Sequence, residues 1–237
     1  MFTRYLLLVL LWLGAPVWAA APTVVVLGDS LSAGYGMNAD QSWVSLLQAR
    51  LRREGYPQRV INASVSGATT EDGRTHLPRL LIRYRPVVVV IELGGNDGLR
   101  GLSLEAMHAN LAAMIERTRE AGAEPLLVGM RLPPNYGPAY TQRFERVYRE
   151  LAREYSAPLV PFLLQGVAGD AHLMQPDGMH ARAAAQPKLL DNVWPHIKAL
   201  LPGTRHASAG LSRPAPSGSR PSRTALPGPQ ARAPKAG

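Results

Sequence analysis

The sequence predicts an α/β fold of three layers, an αβα sandwich in which a five-stranded parallel sheet lies between two layers of helices. Three observations carry this. Short apolar runs rich in valine are continuous rather than alternating, the pattern of strands buried on both faces. Longer segments between them carry apolar residues three and four apart, the spacing of a helix that buries one face. The two kinds of segment alternate along the chain, and strand-helix-strand crossovers of the usual right-handed sense give a parallel sheet covered on both sides.

In chain order, TVVVLG (23–28) reads as the first strand, and QSWVSLLQARLRREG as a helix closed by Gly55 at its C-terminus. RVINA (59–63) is the second strand and DGRTHLPRLLIRY the helix after it. PVVVVIELG (86–94) is the third strand; the helix that follows opens at Ser103, an N-cap with Glu105 in its first turn, and stops at Gly122. EPLLVGM (124–130) and APLVPF (157–162) are strands on either side of the helix YTQRFERVYRELAREY. The last helical stretch, RAAAQPKLLDNVWPHIKALL, contains Pro187 and Pro195 and is expected to be kinked or split.

The chain has 237 residues, no cysteine and a formal net charge of +9. Residues 1–21 combine an early Arg4, an apolar stretch from Tyr5 to Leu13 and small residues at Ala19, Ala20 and Ala21, the layout of a signal peptide, with a periplasmic or secreted destination. That stretch is short of the about 20 residues that span a bilayer, although an uncleaved anchor remains the alternative. Residues 203–237 are built from Pro, Ala, Ser, Gly and Arg and are expected to be disordered, because they cannot bury enough surface to offset their ordering entropy.

This tail holds Arg205, Arg213, Arg220, Arg223, Arg232 and Lys235 and no acid, so removing these six cations and Arg4 from +9 leaves +2 for residues 22–202. The excess charge is therefore off the folded part, which argues against nucleic acid as a partner. Weak contact of the tail with an anionic envelope surface is the most it suggests. Residues 22–202 are the size of one domain, expected to be monomeric. Without cysteine, disulfides, thiolate nucleophiles and thiolate metal sites are excluded.

In parallel sheets, ligands collect beyond the carboxyl ends of the strands. GDSLSAGYG follows strand one, NASVSGAT strand two and GGNDGLRG strand three, and QPDGMH lies far downstream. Ser30, Gly67, Asn96, Asp177 and His180 stand out there. A serine hydroxyl becomes a nucleophile when a histidine accepts its proton, and that histidine needs a partner to fix its tautomer. His180 has Asp177 three residues earlier, and the N-H groups of Ser30 and Gly67 with the Asn96 amide could supply three oxyanion donors.

Each residue alone has a plainer reading. Ser30 could be a helix cap, Gly67 a position needing positive φ, Asn96 part of a turn, and D-x-x-H a chance match. The functional reading gains because all of them fall at strand ends on one side of one sheet. No motif places Asp29 beyond bracing the turn, and the remaining histidines read as helix-surface or tail residues.

Together these blocks resemble those of the SGNH, or GDSL-type, serine hydrolases: GDSLSAGYG, NASVSGATT, ELGGNDGLRG and DGMH. Within that family the chain is similar to the branch of multifunctional acyl-CoA thioesterases, lysophospholipases and arylesterases. The resemblance implies a flavodoxin-like sheet, Ser30 as nucleophile, His180 as general base, Asp177 as its orienter, and an oxyanion hole of Ser30, Gly67 and Asn96. It also implies no metal or cofactor, and a substrate loop of Gly98, Leu99, Arg100, Gly101 and Leu102, leading up to Ser103. Many members have proline after the histidine, where this chain has Ala181.

The expected activity is hydrolysis of acyl esters and thioesters, lysophospholipids among them. A carbohydrate O-acetyl esterase is the alternative, although the apolar, proline-rich MRLPPNYG suits the wall of an acyl groove. A non-catalytic doubly wound binding module is a third reading. Against it, the chain lacks G-x-G-x-x-G after the first strand and an acid after the second, and the absence of G-x-S-x-G excludes an α/β-hydrolase elbow.

Overall fold

A computed structural model describes residues 21–201. The expected signal peptide and the expected disordered tail therefore lie outside the described residues, except for Ala21. Five strands form one all-parallel sheet in the order β2-β1-β3-β4-β5, with β1 at Thr23–Gly28, β2 at Arg59–Asn62, β3 at Val88–Glu92, β4 at Glu124–Val128 and β5 at Leu159–Val160. The strand order reverses at β1, which lies between β2 and β3, so the crevice of this fold opens where β1 and β3 end.

Alternate residues of the strands serve two separate cores, as the two-residue period of a strand requires. Val24, Val26, Val88, Val90, Leu126 and Val128 pack with Trp43, Leu47 and Leu51 of α2 (Trp43–Arg53) and Leu189, Val193 and Ile197 of α7 (Gln186–Leu200). Leu27, Val89, Ile91 and Leu127 face the other way. They meet Leu77 of α3 (Thr70–Tyr84), Leu111 and Met114 of α5 (Leu104–Glu120), and Phe144 and Leu151 of α6 (Pro138–Glu154). Two short helices, α1 (Ser30–Ala33) and α4 (Gly95–Leu99), follow β1 and β3 directly.

Burial on both faces holds for β1, β3 and nearly all of β4, but not for β2, an edge strand whose residues are exposed or half-buried. The fifth strand is shorter than its apolar run. Pro158 and Pro161 bracket Leu159–Val160 and have no N-H to give to a ladder, so only their neighbours pair with β4. Gly55 and Gly122 stand just past their helices at φ +78° and +77°, and Ser103 caps α5 by accepting from the Ala106 N-H at 3.1 Å. The last helical stretch divides into a 3-10 turn, Ala183–Ala185, and α7, in which Pro187 sits in the first turn and Pro195 lies inside the helix.

Candidate active site

The turn after β1 is tight enough to demand glycine. A Cβ on Gly28 would lie 2.5 Å from Glu92 Oε2 and 2.9 Å from Ser32 Oγ. The helix cap of that turn is Asp29 rather than Ser30: Asp29 Oδ1 accepts the Leu31 N-H at 3.0 Å. Ser30 is thereby the first helical residue, a position whose N-H has no partner within the helix.

His180 Nε2 lies 2.8 Å from Ser30 Oγ, and His180 Nδ1 lies 2.7 Å from Asp177 Oδ2. Asp177 Oδ1 accepts the N-H groups of Met179 at 2.9 Å and His180 at 3.0 Å. Burial alone would raise the Asp177 carboxyl, but these hydrogen bonds outweigh it and hold the group down to about 2. The loop carrying both residues is fastened at its base, where Gln175 N-H donates to His180 O at 2.7 Å and Arg182 N-H to Leu173 O at 2.7 Å. Between them Ala181 pairs across an antiparallel bridge with Met174. The bonds of that bridge use the N-H groups of Gln175 and Arg182, so a proline at 181 would forfeit neither.

Gly67 has φ +82°, so the plainer reading of this residue is also correct. No backbone acceptor among the described residues engages the Ser30 or Gly67 N-H. Asn96, in the first turn of α4, bonds with its side chain to the neighbours of both: Nδ2 donates to Ala68 O, next to Gly67, at 3.1 Å and to Asp29 Oδ2, next to Ser30, at 3.2 Å. The next residue, Asp97, is buried and ties α4 to α3 by accepting the Thr70 N-H at 2.9 Å and Thr70 Oγ1-H at 2.5 Å.

Beneath the turn lies a second buried carboxyl that nothing in the local sequence pattern singles out. Glu92, at the end of β3, is fully buried, and its Oε2 accepts Ser32 Oγ-H at 2.5 Å and the Asp29 N-H at 3.3 Å. Burial, with the charge of Asp29 nearby, pushes its carboxyl well above the usual range. Burial likewise lifts Asp29 to about 6, against the Leu31 N-H, His180 and Asn96, which pull it down.

A groove of about 590 Å³ runs from Ser30, Asn96 and His180 along Met130, Arg131, Leu132, Pro133 and Pro134 to the segment after β5, where Phe162, Leu163 and Leu164 line it. The MRLPPNYG segment does form a wall. Of the five residues expected in the substrate loop, Leu99 alone lines the groove. Gly98 is packed against Leu132 and Phe144, Arg100 Nη2 donates to Gly67 O at 2.8 Å, Gly101 turns the chain at φ +65°, and Leu102 faces outward. Tyr35 adds a contact that no motif signals; its ring centroid lies 4.5 Å from that of His180. Among the other histidines, His108 lies on α5 with its Nε2 3.5 Å from Glu154 Oε2, and His172 sits in a loop rather than on a helix. Among the described residues no cluster of histidine and acidic side chains could hold a metal.

A serine, a histidine and an aspartate joined in series by hydrogen bonds at the switch point of a flavodoxin-like sheet are the arrangement of a serine hydrolase of the SGNH type. Residues 26–188 match the model of the GDSL-like Lipase/Acylhydrolase family, and the chain belongs to that family. It is 54% identical over 183 residues to Esterase TesA of Pseudomonas aeruginosa, covering 77% of this chain and 91% of that one. It is 43% identical over 204 residues to Thioesterase 1/protease 1/lysophospholipase L1 of Escherichia coli, covering 86% and 94%. The solved structure described as "Crystal Structure of TesA" superimposes with a TM-score of 0.74 at 53% identity, over 76% of this chain and 99% of that one.

Proposed function

We propose that this protein hydrolyses acyl esters and thioesters, including lysophospholipids, through an acyl-enzyme on Ser30. The observation that carries the reading is the series of contacts from Ser30 Oγ to His180 Nε2 at 2.8 Å and from His180 Nδ1 to Asp177 at 2.7 Å. His180 takes the Ser30 proton as Oγ bonds to the acyl carbon, and the carbonyl oxygen becomes an oxyanion facing the N-H groups of Ser30 and Gly67 and the Asn96 amide. The tetrahedral centre collapses, the ester or thioester bond breaks, and His180 protonates the leaving alcohol or thiol. Water then repeats the sequence on the acyl-enzyme, releasing the carboxylic acid.

Two observations favour an acyl chain over an acetyl group on sugar. The groove lining is largely apolar. Five of the six large hydrophobic residues exposed among the described residues, Tyr35, Val65, Leu102, Tyr136 and Met179, lie on the loops beyond the carboxyl ends of the five strands. This is the edge on which the groove opens, which suits an amphiphile. The names of the relatives, an esterase and a thioesterase/lysophospholipase, point the same way.

The reading includes export directed by residues 1–21, a monomeric catalytic domain of residues 22–202, and a solvated tail of 203–237 able to touch an anionic envelope surface. Hydrolysis of p-nitrophenyl esters from acetyl to dodecanoyl, run beside lysophosphatidylcholine, tests the substrate class. The expected optimum lies beyond acetyl, with measurable release of fatty acid from the lysolipid. Strict preference for acetyl would overturn the lipid reading in favour of the sugar ester.

A further inference from the structure

Asp29 is nearly fully buried, yet the acyl-transfer steps give it nothing to do. Its two oxygens are assigned to different elements. Oδ1 caps α1 through the Leu31 N-H at 3.0 Å, while Oδ2 crosses to α4 and takes the Asn96 Nδ2-H at 3.2 Å. Gly95 permits the crossing, because a Cβ there would stand 3.2 Å from Oδ2. An amide nitrogen has two hydrogens, and the other hydrogen of Asn96 goes to Ala68 O at 3.1 Å. Of the three candidate oxyanion donors, the Ser30 and Gly67 N-H groups thus stand open, while both hydrogens of the Asn96 amide are engaged.

We infer that Asp29 is a positioning residue of the oxyanion hole: its Oδ2 fixes the Asn96 amide in the resting enzyme and yields that N-H to the substrate oxyanion as charge develops. Ala68 O keeps the second hydrogen throughout, so the amide is turned by one acceptor and anchored by the other. The inference rests on the acyl-enzyme reading. It differs from a capping role alone, which would need only Oδ1.

Asp29→Asn and Asp29→Ser separate the two roles. Each retains a side-chain oxygen that can cap Leu31, a preferred N-cap chemistry. Asn then presents an NH2 group to the Asn96 amide, and Ser presents nothing. Each variant is made in the wild-type and the Asn96→Ala backgrounds, and kcat and KM for p-nitrophenyl butyrate are measured after a thermal melt has established folding.

In the wild-type background the expected result is a fall of at least tenfold in kcat with KM within about twofold, because the lost interaction belongs to the transition state. In the Asn96→Ala background the same substitutions should cost less than about threefold, since residues acting through one another are not additive. Equal losses in both backgrounds, or an unchanged kcat in either single variant, would overturn the inference. Fluorophosphonate labelling of Ser30 in the same variants keeps the two proposals apart. Labelling that persists while the losses prove additive removes Asp29 from this role and leaves the acyl-enzyme standing.

Discussion

Replacing Asp177 by Asn tests the proposed base most sharply, because the structure dictates how the new amide must sit. Asp177 Oδ1 accepts two backbone N-H groups, from Met179 and His180, and Oδ2 faces His180 Nδ1. An asparagine has one acceptor oxygen for those two places. Turned toward the backbone it keeps two hydrogen bonds; turned toward the ring it keeps one and sets its NH2 against two donors. At about 1 kcal/mol per net hydrogen bond, the first orientation wins by at least ~1 kcal/mol, before the opposed donors are counted.

In that orientation the NH2 group donates to Nδ1, so the ring carries its hydrogen on Nε2. The atom 2.8 Å from Ser30 Oγ is then a donor and cannot take the serine proton. This is the wrong-tautomer effect, worth roughly 10⁴-fold in kcat when the aspartate of a serine protease triad is changed to asparagine. A loss of roughly 10³-fold to 10⁴-fold is expected here by the same reasoning, measured as kcat on p-nitrophenyl butyrate with an unchanged circular dichroism spectrum. A folded variant that kept more than a tenth of wild-type kcat would refute the assignment of His180 as the base held by Asp177.

Three further outcomes follow from the same geometry. Gly28→Ala drives a Cβ to 2.5 Å from the buried Glu92 Oε2, an overpacking of about 1–3 kcal/mol; a thermal melt should show Tm lower by several degrees, and an unchanged Tm would refute the close approach. Asn96→Ala should lower kcat by roughly 10²-fold to 10³-fold, and a loss under about threefold would remove its amide from the oxyanion hole. The third concerns pH. Asp29 keeps its proton to about pH 6 in the fold against 3.8 as the ordinary value, so the native state binds more protons across that window and stability falls as pH rises through it. Urea midpoints between about pH 4 and 7 should therefore slope less steeply in Asp29→Asn than in the wild type, and parallel slopes would contradict the shift.

What the sequence made legible is tied to local pattern. The valine-rich runs located all five strands, and the loops after the first and third, with the late D-x-x-H, held Ser30, Asn96, Asp177 and His180, which the fold brings to the switch point. What escaped it depends on contacts between distant segments. Ser30 reads as a cap as well as a nucleophile, and only the position of the Asp29 carboxyl decides that the neighbour is the cap. Glu92 closes an apolar strand in a way that looks like a return to solvent, yet it lies beneath the turn at Gly28, a contact across 60 residues. The groove wall formed by Phe162, Leu163 and Leu164 sits in an apolar run indistinguishable from strand until Pro158 and Pro161 are seen to cut the ladder. The exposure of β2 could not be read from its residues, because edge position is a property of strand order.

The central claim is that Ser30 carries the acyl group. Intact-protein and peptide mass spectrometry after brief exposure to a fluorophosphonate tests it directly. A single adduct is expected on the peptide containing Ser30, absent from Ser30→Ala and strongly slowed in His180→Ala. Adduct formation at another residue, or none on folded wild-type protein, would contradict it.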